Sequence, residues 1–346
     1  MRRKVEGAEG AMHVLHVFGS TQDAFYFRQS KMYAAAVLRP EGITHRFAAV
    51  SPDGYWRFGP DPDTLGPALT LDEALNAVGT PDLMVPHMFC RKGMTTYRAL
   101  FEDLLGIPVV GAPADVAGLA TSKLWTRDVV AAAGVPVAEA EPLAQGAAPT
   151  LAAPYVVKPD SEDNSLGISV VTDPADGPEA VAHARHYADT VFAEAFIPGR
   201  EIRAAVVAGE DGWQVPSFIE YPVSEARPIR EVADKLESTS DGSLRQSERA
   251  DAQPICPAKV SEALAEDLAA AAEAAARALG ARHYALFDFR VHAETGAPYL
   301  LEAGLFWSFS RLSAISKMLA GSGIDPTETT GALWRAAAAP GTLRAA

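Results

Sequence analysis

Asp288 and Glu302 are the residues of this chain whose setting most demands a chemical explanation. Asp288 interrupts the apolar run Ala285-Leu286-Phe287-Asp288-Phe289, and Glu302 closes Leu300-Leu301-Glu302 after a His-Ala-Glu-Thr-Gly-Ala turn. Each run has the composition of a short strand, so the turn between them brings both carboxylates to the same end of a sheet. A carboxylate inside an apolar run costs desolvation free energy unless it is paired, protonated or bound to a metal. Two of them on adjacent strands fit a Mg2+ ion that also holds nucleotide phosphates, because Mg2+ takes hard oxygen ligands and shares its shell with phosphates. Taken singly, either acid fits a solvated strand end or a salt bridge better. The metal reading belongs to the pair.

Two further segments could serve the same ligand. The strand Tyr155-Val-Val-Lys158 runs into a turn-rich loop, Pro159 to Gly167, where Lys158 and the backbone N–H groups around Asn164, Ser165 and Gly167 can meet phosphates. The glycine-lysine signature of a P-loop is absent, Glu162 and Asp163 are unexpected beside phosphates, and alone the loop reads equally well as a hairpin turn. In Val191 to Glu201, apolar residues bracket Glu194, and Pro198-Gly199 forces a turn that places Glu201 at the start of the strand Ile202 to Val207. Backbone groups of Ala195 and Ile197 could pair with a purine edge while Glu201 accepts from two ribose hydroxyls. Alone, this too reads more simply as a hairpin with an edge acid.

The elements that must position these residues follow from the pattern. Met12 to Ser20 is the first strand-then-turn, so residues 1–11 are expected to be a disordered tail. A helix over Gln22 to Leu38, a variable segment containing PDGYWRFGPDPD, a helix at Leu71 to Val78 and a strand at Asp82 to Pro86 follow. Thr95 to Leu105 reads as a helix and Ile107 to Gly111 as a strand. This β/α alternation predicts an open α/β first domain. Two helices joined by Thr121-Ser122-Lys123 lead to a Pro- and Ala-rich surface connection, Ala138 to Pro154. Residues 222–257 form a polar segment long enough for a mobile lid, Lys259 to Leu279 is an Ala-rich amphipathic helix, and the end after Leu333 is a fading helix.

Composition bounds the function. The chain has 346 residues, of which 48% are hydrophobic and 21% charged, enough for about two domains with sizeable cores. A formal charge of -14 argues against a nucleic-acid partner, which needs clustered Lys and Arg. Cys90 and Cys256 lack any paired metal spacing and read as free core thiols of a reducing compartment. No apolar run reaches the length of a membrane span and no signal region follows the basic start, so a cytoplasmic location is expected.

Together these elements, in this order, resemble the ATP-grasp ligases, and specifically the D-alanine:D-alanine ligase superfamily. The matching phrases are LLGIPVVGAPADVAGLATSKLWTRDVVAAAGVP, YVVKPDSEDNSLGISVV, FAEAFIPGREI, ADKL and FDF...PYLLEA, and they cover Met12 to about Pro326. The resemblance implies an ATP-grasp fold of mixed α/β (α+β) class, with three subdomains and ATP bound between the central and C-terminal ones. The boundaries expected are 12–115 for an N-terminal open α/β domain, 116–200 for the central subdomain and 201–336 for the C-terminal subdomain carrying the 222–257 lid. The implied cofactors are ATP and Mg2+. Lys123, Lys158 and Ser165 would face the nucleotide, Glu194, Ala195 and Ile197 the adenine, and Glu201 the ribose. Lys235 would reach the phosphates from the lid, and Asp288 and Glu302 would hold Mg2+. Ser313 matches a position that binds the substrate carboxylate in the family. The expected partners are small molecules, an amino acid and a second acceptor, with no nucleic acid or membrane, and a homodimer is the expected assembly.

The departures from the superfamily are specific. Leu286 stands where those ligases carry an Arg that stabilises the tetrahedral intermediate, and Gly304 where they carry a metal-binding Asn. The Glu-Ser-Tyr cluster around the first D-alanine also looks replaced, with Asn164 at the Ser and Leu236 at the Tyr, which makes D-alanine an unexpected first substrate. Arg290, two residues after Asp288 on the same strand face, could supply the lost charge or form a surface ion pair. HVFGSTQDAFYFRQSKMYA, PHMFCRKGMTTYRALFEDLLGIP, RPIREVADKLESTSDG and LEAGLFWSF resemble a narrower branch, the ligases of mycosporine-like amino acid biosynthesis. That resemblance implies condensation of serine or threonine with mycosporine-glycine, through phosphorylation of an enaminone oxygen, on a pocket that Phe306, Trp307 and Phe309 could line. A conventional dipeptide-forming ligase and a non-catalytic nucleotide-binding protein are the alternatives.

Overall fold

The computed structural model describes residues 11–339, so the tail expected over 1–11 lies outside the described residues except for Ala11. Strand β1 (Met12–Gly19) is buried on both faces from Val14 onward, as a central parallel strand must be. It pairs in parallel with β2 (Ile43–Val50) and, after β3 (Trp56–Gly59), with β4 (Leu83–Pro86), giving the order β3-β2-β1-β4 with β3 antiparallel at the edge. This is the expected open α/β sheet, although β2 and β3 fall where the sequence showed only a variable region. Helix α1 (Ala24–Ala35) starts at Asp23, whose carboxylate accepts from the Tyr26 amide at 2.8 Å. Helix α2 (Leu71–Ala77) opens on Thr70 with a capping box to Glu73. The single helix expected over Thr95 to Leu105 is broken into α3 (Arg91–Met94), α4 (Thr96–Ala99) and a π-helical stretch at Leu100–Leu104. The strand expected at Ile107 to Gly111 is reduced to one bridge between Val109 and Met84.

Helices α5 (Ala114–Ala120) and α6 (Lys123–Ala132) lead to a second, antiparallel sheet. Its strands are β5 (Ala140–Leu143), β6 (Tyr155–Pro159) and β7 (Ser169–Val171), with β8 (Val191–Ala195) following α7 (Gly177–Arg185), in the order β5-β8-β6-β7. Ala180, Val181 and Ala184 of α7 pack on Tyr155, Val157 and Val171 of that sheet. β5 lies in the stretch read as a surface connection. It is a half-exposed edge strand, which is where the Pro142 it contains can be tolerated.

The third sheet is antiparallel throughout. It contains β9 (Gly199–Gly209), β10 (Gly212–Gln214) and β11 (Ile219–Tyr221). Next come α8 (Val232–Lys235), the hairpin β12 (Leu236–Ser238) and β13 (Leu244–Gln246), and α9 (Glu262–Leu279). The chain ends in β14 (Tyr284–His292), β15 (Pro298–Gly304), α10 (Ala314–Gly321) and α11 (Pro326–Ala338). The expected lid segment, 222–257, thus carries α8 and the β12-β13 hairpin.

Ser261 caps α9 and Gly280, at φ 70°, ends it. The buried stripe Leu268, Ala271, Ala272, Ala275, Ala276 and Leu279 packs on Ile202, Ala204 and Val206 of β9 and Ala285, Phe287 and Phe289 of β14. Phe287 is fully buried there, and truncation to Ala would cost about 3–5 kcal/mol. Because strand side chains alternate, committing those residues to α9 turns Glu201, Arg203, Leu286, Asp288 and Arg290 to the opposite face. Helix α11 runs to Ala338 with Trp334 buried and edge-on to His16 of β1, so it is an anchored helix and not the fading end the sequence suggested.

Candidate functional site

The outward face of β9, β14 and β15 and the inner face of the β5-β8-β6-β7 sheet line a common cleft. On its floor Asp288 and Glu302 are direct cross-strand partners. One residue further the register shifts, so Phe289 faces Leu300 and Leu301 has no partner. This bulge re-aims the strand and lets both Leu301 and Glu302 line the cleft. Arg203, opposite Asp288 on β9, binds both of its carboxylate oxygens at 2.5 and 2.6 Å. Burial works against ionising Asp288, but the Arg203 guanidinium outweighs it and holds the acid below the ordinary carboxylate range. Glu302 lies 3.5 Å from the Lys123 ammonium.

The opposite wall is built around Glu194. This buried carboxylate bonds Lys158 at 2.8 Å and Arg127 of α6 at 3.3 Å, so neither the acid nor the lysine is left unneutralised in the low-dielectric wall. Lys123 enters at the first turn of α6, which Ser122 caps, and its ammonium also donates to the Glu162 carbonyl. The phosphate-loop candidate places Asn164 and Ser165 in left-handed backbone conformations, φ 57° and 64°. From the lid, the Lys235 ammonium donates to the Ser165 hydroxyl at 2.9 Å. Burial, then the neighbouring Arg230, lowers the Lys235 pKa to about 8.

At the far end Phe196, Ile197, Val156 and Leu301 make an apolar slot beside Glu201. Arg230, from the lid segment, bonds Glu201 at 2.6 Å and lies 3.6 Å over the Tyr221 ring. The Ala195 amide is already donated to the Glu139 carbonyl, whereas the Ile197 amide has no partner among the described residues. Of these two backbone amides, therefore, that of Ile197 is the open one.

Lys123, Lys158, Ser165, Glu194, Ala195, Ile197, Glu201, Lys235, Asp288, Arg290 and Glu302 all line this one cleft. Three expectations need correction. Arg290 sits opposite Glu201, not beside the reacting end, and donates to the Gly199 and Pro228 carbonyls. The cation next to Asp288 is Arg203 instead. Ser313 caps α10: its hydroxyl accepts from Trp307 and the Ser316 amide and donates to the Ser316 hydroxyl. Trp307 and Phe309 are core residues, stacked at 4.4 Å, and of the three aromatics only Phe306 faces the cleft. Arg127, Arg203 and Arg230 were missed. Arg203 had a signal, since it follows Glu201 by two residues on a strand and so shares its face.

The residues present fit Mg2+. Among the described residues no cluster of three His, Cys, Asp or Glu side chains forms, so a cation here would rest on Asp288, Glu302 and ligand oxygens. That is how Mg2+ commonly binds beside phosphates. Gly304 adds no donor, and a Cβ there would meet the Phe306 ring at 3.3 Å.

Residues 129–333 match the family described as D-ala D-ala ligase C-terminus. The D-alanine–D-alanine ligase of Citrifermentans bemidjiense is 31% identical over 224 residues, 64% of this chain and 68% of that protein. Among solved structures, the D-alanine–D-alanine ligase from Coxiella burnetii superposes with a TM-score of 0.74 at 18% identity, over 96% of this chain and 94% of that one. The Bacillus anthracis enzyme complexed with ATP gives 0.68 at 17% identity, over 95% and 97%. No described helix is long and apolar enough to cross a membrane.

Proposed function

The chain belongs to the D-alanine:D-alanine ligase family of ATP-grasp carbon–nitrogen ligases, and we propose that it is an ATP- and Mg2+-dependent carboxylate–amine ligase. The observation that carries this reading is the convergence of Lys123, Lys158 and Lys235 with Asp288 and Glu302 on one cleft. Phe196, Ile197, Val156 and Leu301 take the adenine, the Ile197 amide meets its edge, and Glu201 accepts from the ribose once Arg230 yields. Lys123, Lys158 and Lys235 offset the charge on the phosphates, worth most where water is excluded. Asp288 and Glu302 would hold Mg2+, which when bound would neutralise phosphate charge.

A substrate carboxylate oxygen attacks the γ-phosphorus, the bond to the β-phosphate oxygen breaks, and an acyl phosphate and ADP form. The amine nitrogen then attacks the acyl carbon, inorganic phosphate leaves with the C–O electron pair, and the nitrogen loses a proton. No protein nucleophile is consumed. The lid bearing Lys235 keeps water from the acyl phosphate. We keep the division 12–115, 116–200 and 201–336, with 222–257 as lid, as part of the proposal; β9 of the third sheet starts at Gly199, two residues before the last boundary.

The names of the relatives favour this reading over condensation with mycosporine-glycine. That second reading keeps one specific support: the cavity beside Glu302 is walled by Tyr26, Phe89 and Phe306, aromatic surface suited to a ring, and position 286 is Leu. The experiment is ADP release from ATP and Mg2+ with mixtures of amino acids, with and without mycosporine-glycine. Release at background with every combination overturns the ligase reading.

A further inference from the structure

Past Arg203 and Arg230 the cleft opens into a second cavity of about 980 Å3, between α1, the β12-β13 hairpin and α10. The two spaces share Asp163, Arg203, Arg230, Lys235 and Phe306, so a molecule in the second cavity can reach the phosphate end of the first. Three of the charges on this wall are already matched. Arg203 is bound to Asp288 and Arg230 to Glu201, while Asp234 is held by Arg227 at 3.5 Å and Arg249 at 3.0 Å.

Asp163 and Lys235 lie at the end shared with the first cleft, which leaves Lys317 as the one cation of this cavity alone that has no ion pair among the described residues. It projects from α10 into the cavity, is partly buried, and among the described residues has no carboxylate within ion-pair distance. Its ammonium donates to the Gln246 side-chain oxygen at 3.0 Å. Gln246 is fixed in turn, because its amide donates to the Leu312 carbonyl at 2.8 Å. An ammonium has three donors, and the neutral amide supplies one acceptor and no countercharge. Burial lowers the Lys317 pKa, the sign of a charge held without compensation. An arrangement that orients a cation towards a cavity and leaves it unneutralised is completed by an anion of the ligand.

We propose that Lys317, oriented by Gln246, is the specificity residue that binds the carboxylate of the amine substrate. The inference rests on the ligase reading and adds to it that the amine is an amino acid seated in this second cavity. Its carboxylate lies on Lys317 and its nitrogen points to the shared end near Lys235 and Phe306.

The test gives the enzyme a common L-amino acid, D-alanine or D-serine together with its decarboxylated amine (ethanolamine for serine, ethylamine for alanine), so that the amino acid always supplies the carboxylate, and reads ADP release and, by mass, how the product divides between the dipeptide and the amide of the amine. The wild type should prefer the amino acid. In Lys317→Met the preference, as the ratio of kcat/KM values, should fall about 10- to 100-fold, mostly through KM for the amino acid. Lys317→Arg should restore it, and Lys317→Gln serves if the Met variant does not fold. ADP release with an undiminished preference in the uncharged variants overturns the role of Lys317 and leaves the ligase reading standing. No ADP from the wild type with any of these amines overturns both.

Discussion

Arg203 of β9 grips Asp288 of β14 through both carboxylate oxygens, from Nε at 2.5 Å and Nη2 at 2.6 Å. The pair is mostly shielded from water, with 24% and 13% of the two side chains exposed. Arg203→Met leaves a carboxylate uncompensated and should lower the unfolding free energy by about 3 kcal/mol in chemical denaturation. Adding Asp288→Asn should recover much of that loss, because the neutral amide no longer needs the cation. Strictly additive losses would mean that the two side chains do not interact as described.

Glu302 has a different balance. Its side chain is 37% exposed and among the described residues its one ion pair is with Lys123, at 3.5 Å, so Glu302→Gln should leave the circular dichroism spectrum and melting temperature nearly unchanged. Losing one of two metal carboxylates should cut ADP release at least about 100-fold. A fully active variant would remove Glu302 from the metal site.

The pKa of Lys235, about 8 in the empty cleft, gives nucleotide binding a pH signature. Phosphates favour the charged ammonium, so binding raises this pKa and takes up a proton wherever the free protein has lost it, that is above pH 8. Affinity for a non-hydrolysable ATP analogue should be level below pH 8 and fall by up to about tenfold per unit above it. Titration calorimetry from pH 7 to 9.5 checks this, and Lys235→Arg should flatten the profile. A wild-type profile already flat to pH 9.5 would take Lys235 off the phosphates.

A second pH effect belongs to stability. His16 bonds His87 and His45, each at 2.9 Å, beneath Trp334. Burial first, then the neighbouring imidazoles and Arg39, lowers His16, while burial lowers His87 to about 3 and His45 to about 4. Folded-state values below the unfolded value of about 6.5 mean that the unfolded chain binds more protons. The stability is present above pH 6.5 and is lost as pH falls, at roughly 2 kcal/mol per neutral imidazole between pH 6.5 and 5. Urea titrations across that window should show the decline, and His45→Gln should reduce its slope. Constant stability from pH 7 to 5 would contradict the neutral cluster.

The orientation of Asp288 was legible because alternation is local: Phe287 and Phe289 must face α9, so Asp288 must face away. The pairing of Arg203 with Asp288 was not, because the two lie 85 residues apart and strand pairing is not written in either segment alone. β2 was lost for a similar reason. Its Thr44, His45 and Arg46 look polar in sequence, and only the fold supplies His45 with His16 and Arg46 with the Ala77 carbonyl. Ser313 shows the converse case, where a resemblance suggested a ligand contact but a Ser before an apolar helix is first of all an N-cap. Arg290 was placed on the correct strand face, yet the face extends from the metal acids to Glu201, and the structure puts Arg290 at the Glu201 end.

If this cleft joins a carboxylate to an amine at the expense of ATP, the product must show it in its mass. The most direct test is the product mass from ATP, Mg2+ and pooled amino acids, run beside the same pool with mycosporine-glycine. ADP should form in step with a mass equal to the two substrates less one water, with no new chromophore. A red-shifted chromophore formed only with mycosporine-glycine, and no amide mass in either pool, would contradict the carboxylate–amine reading.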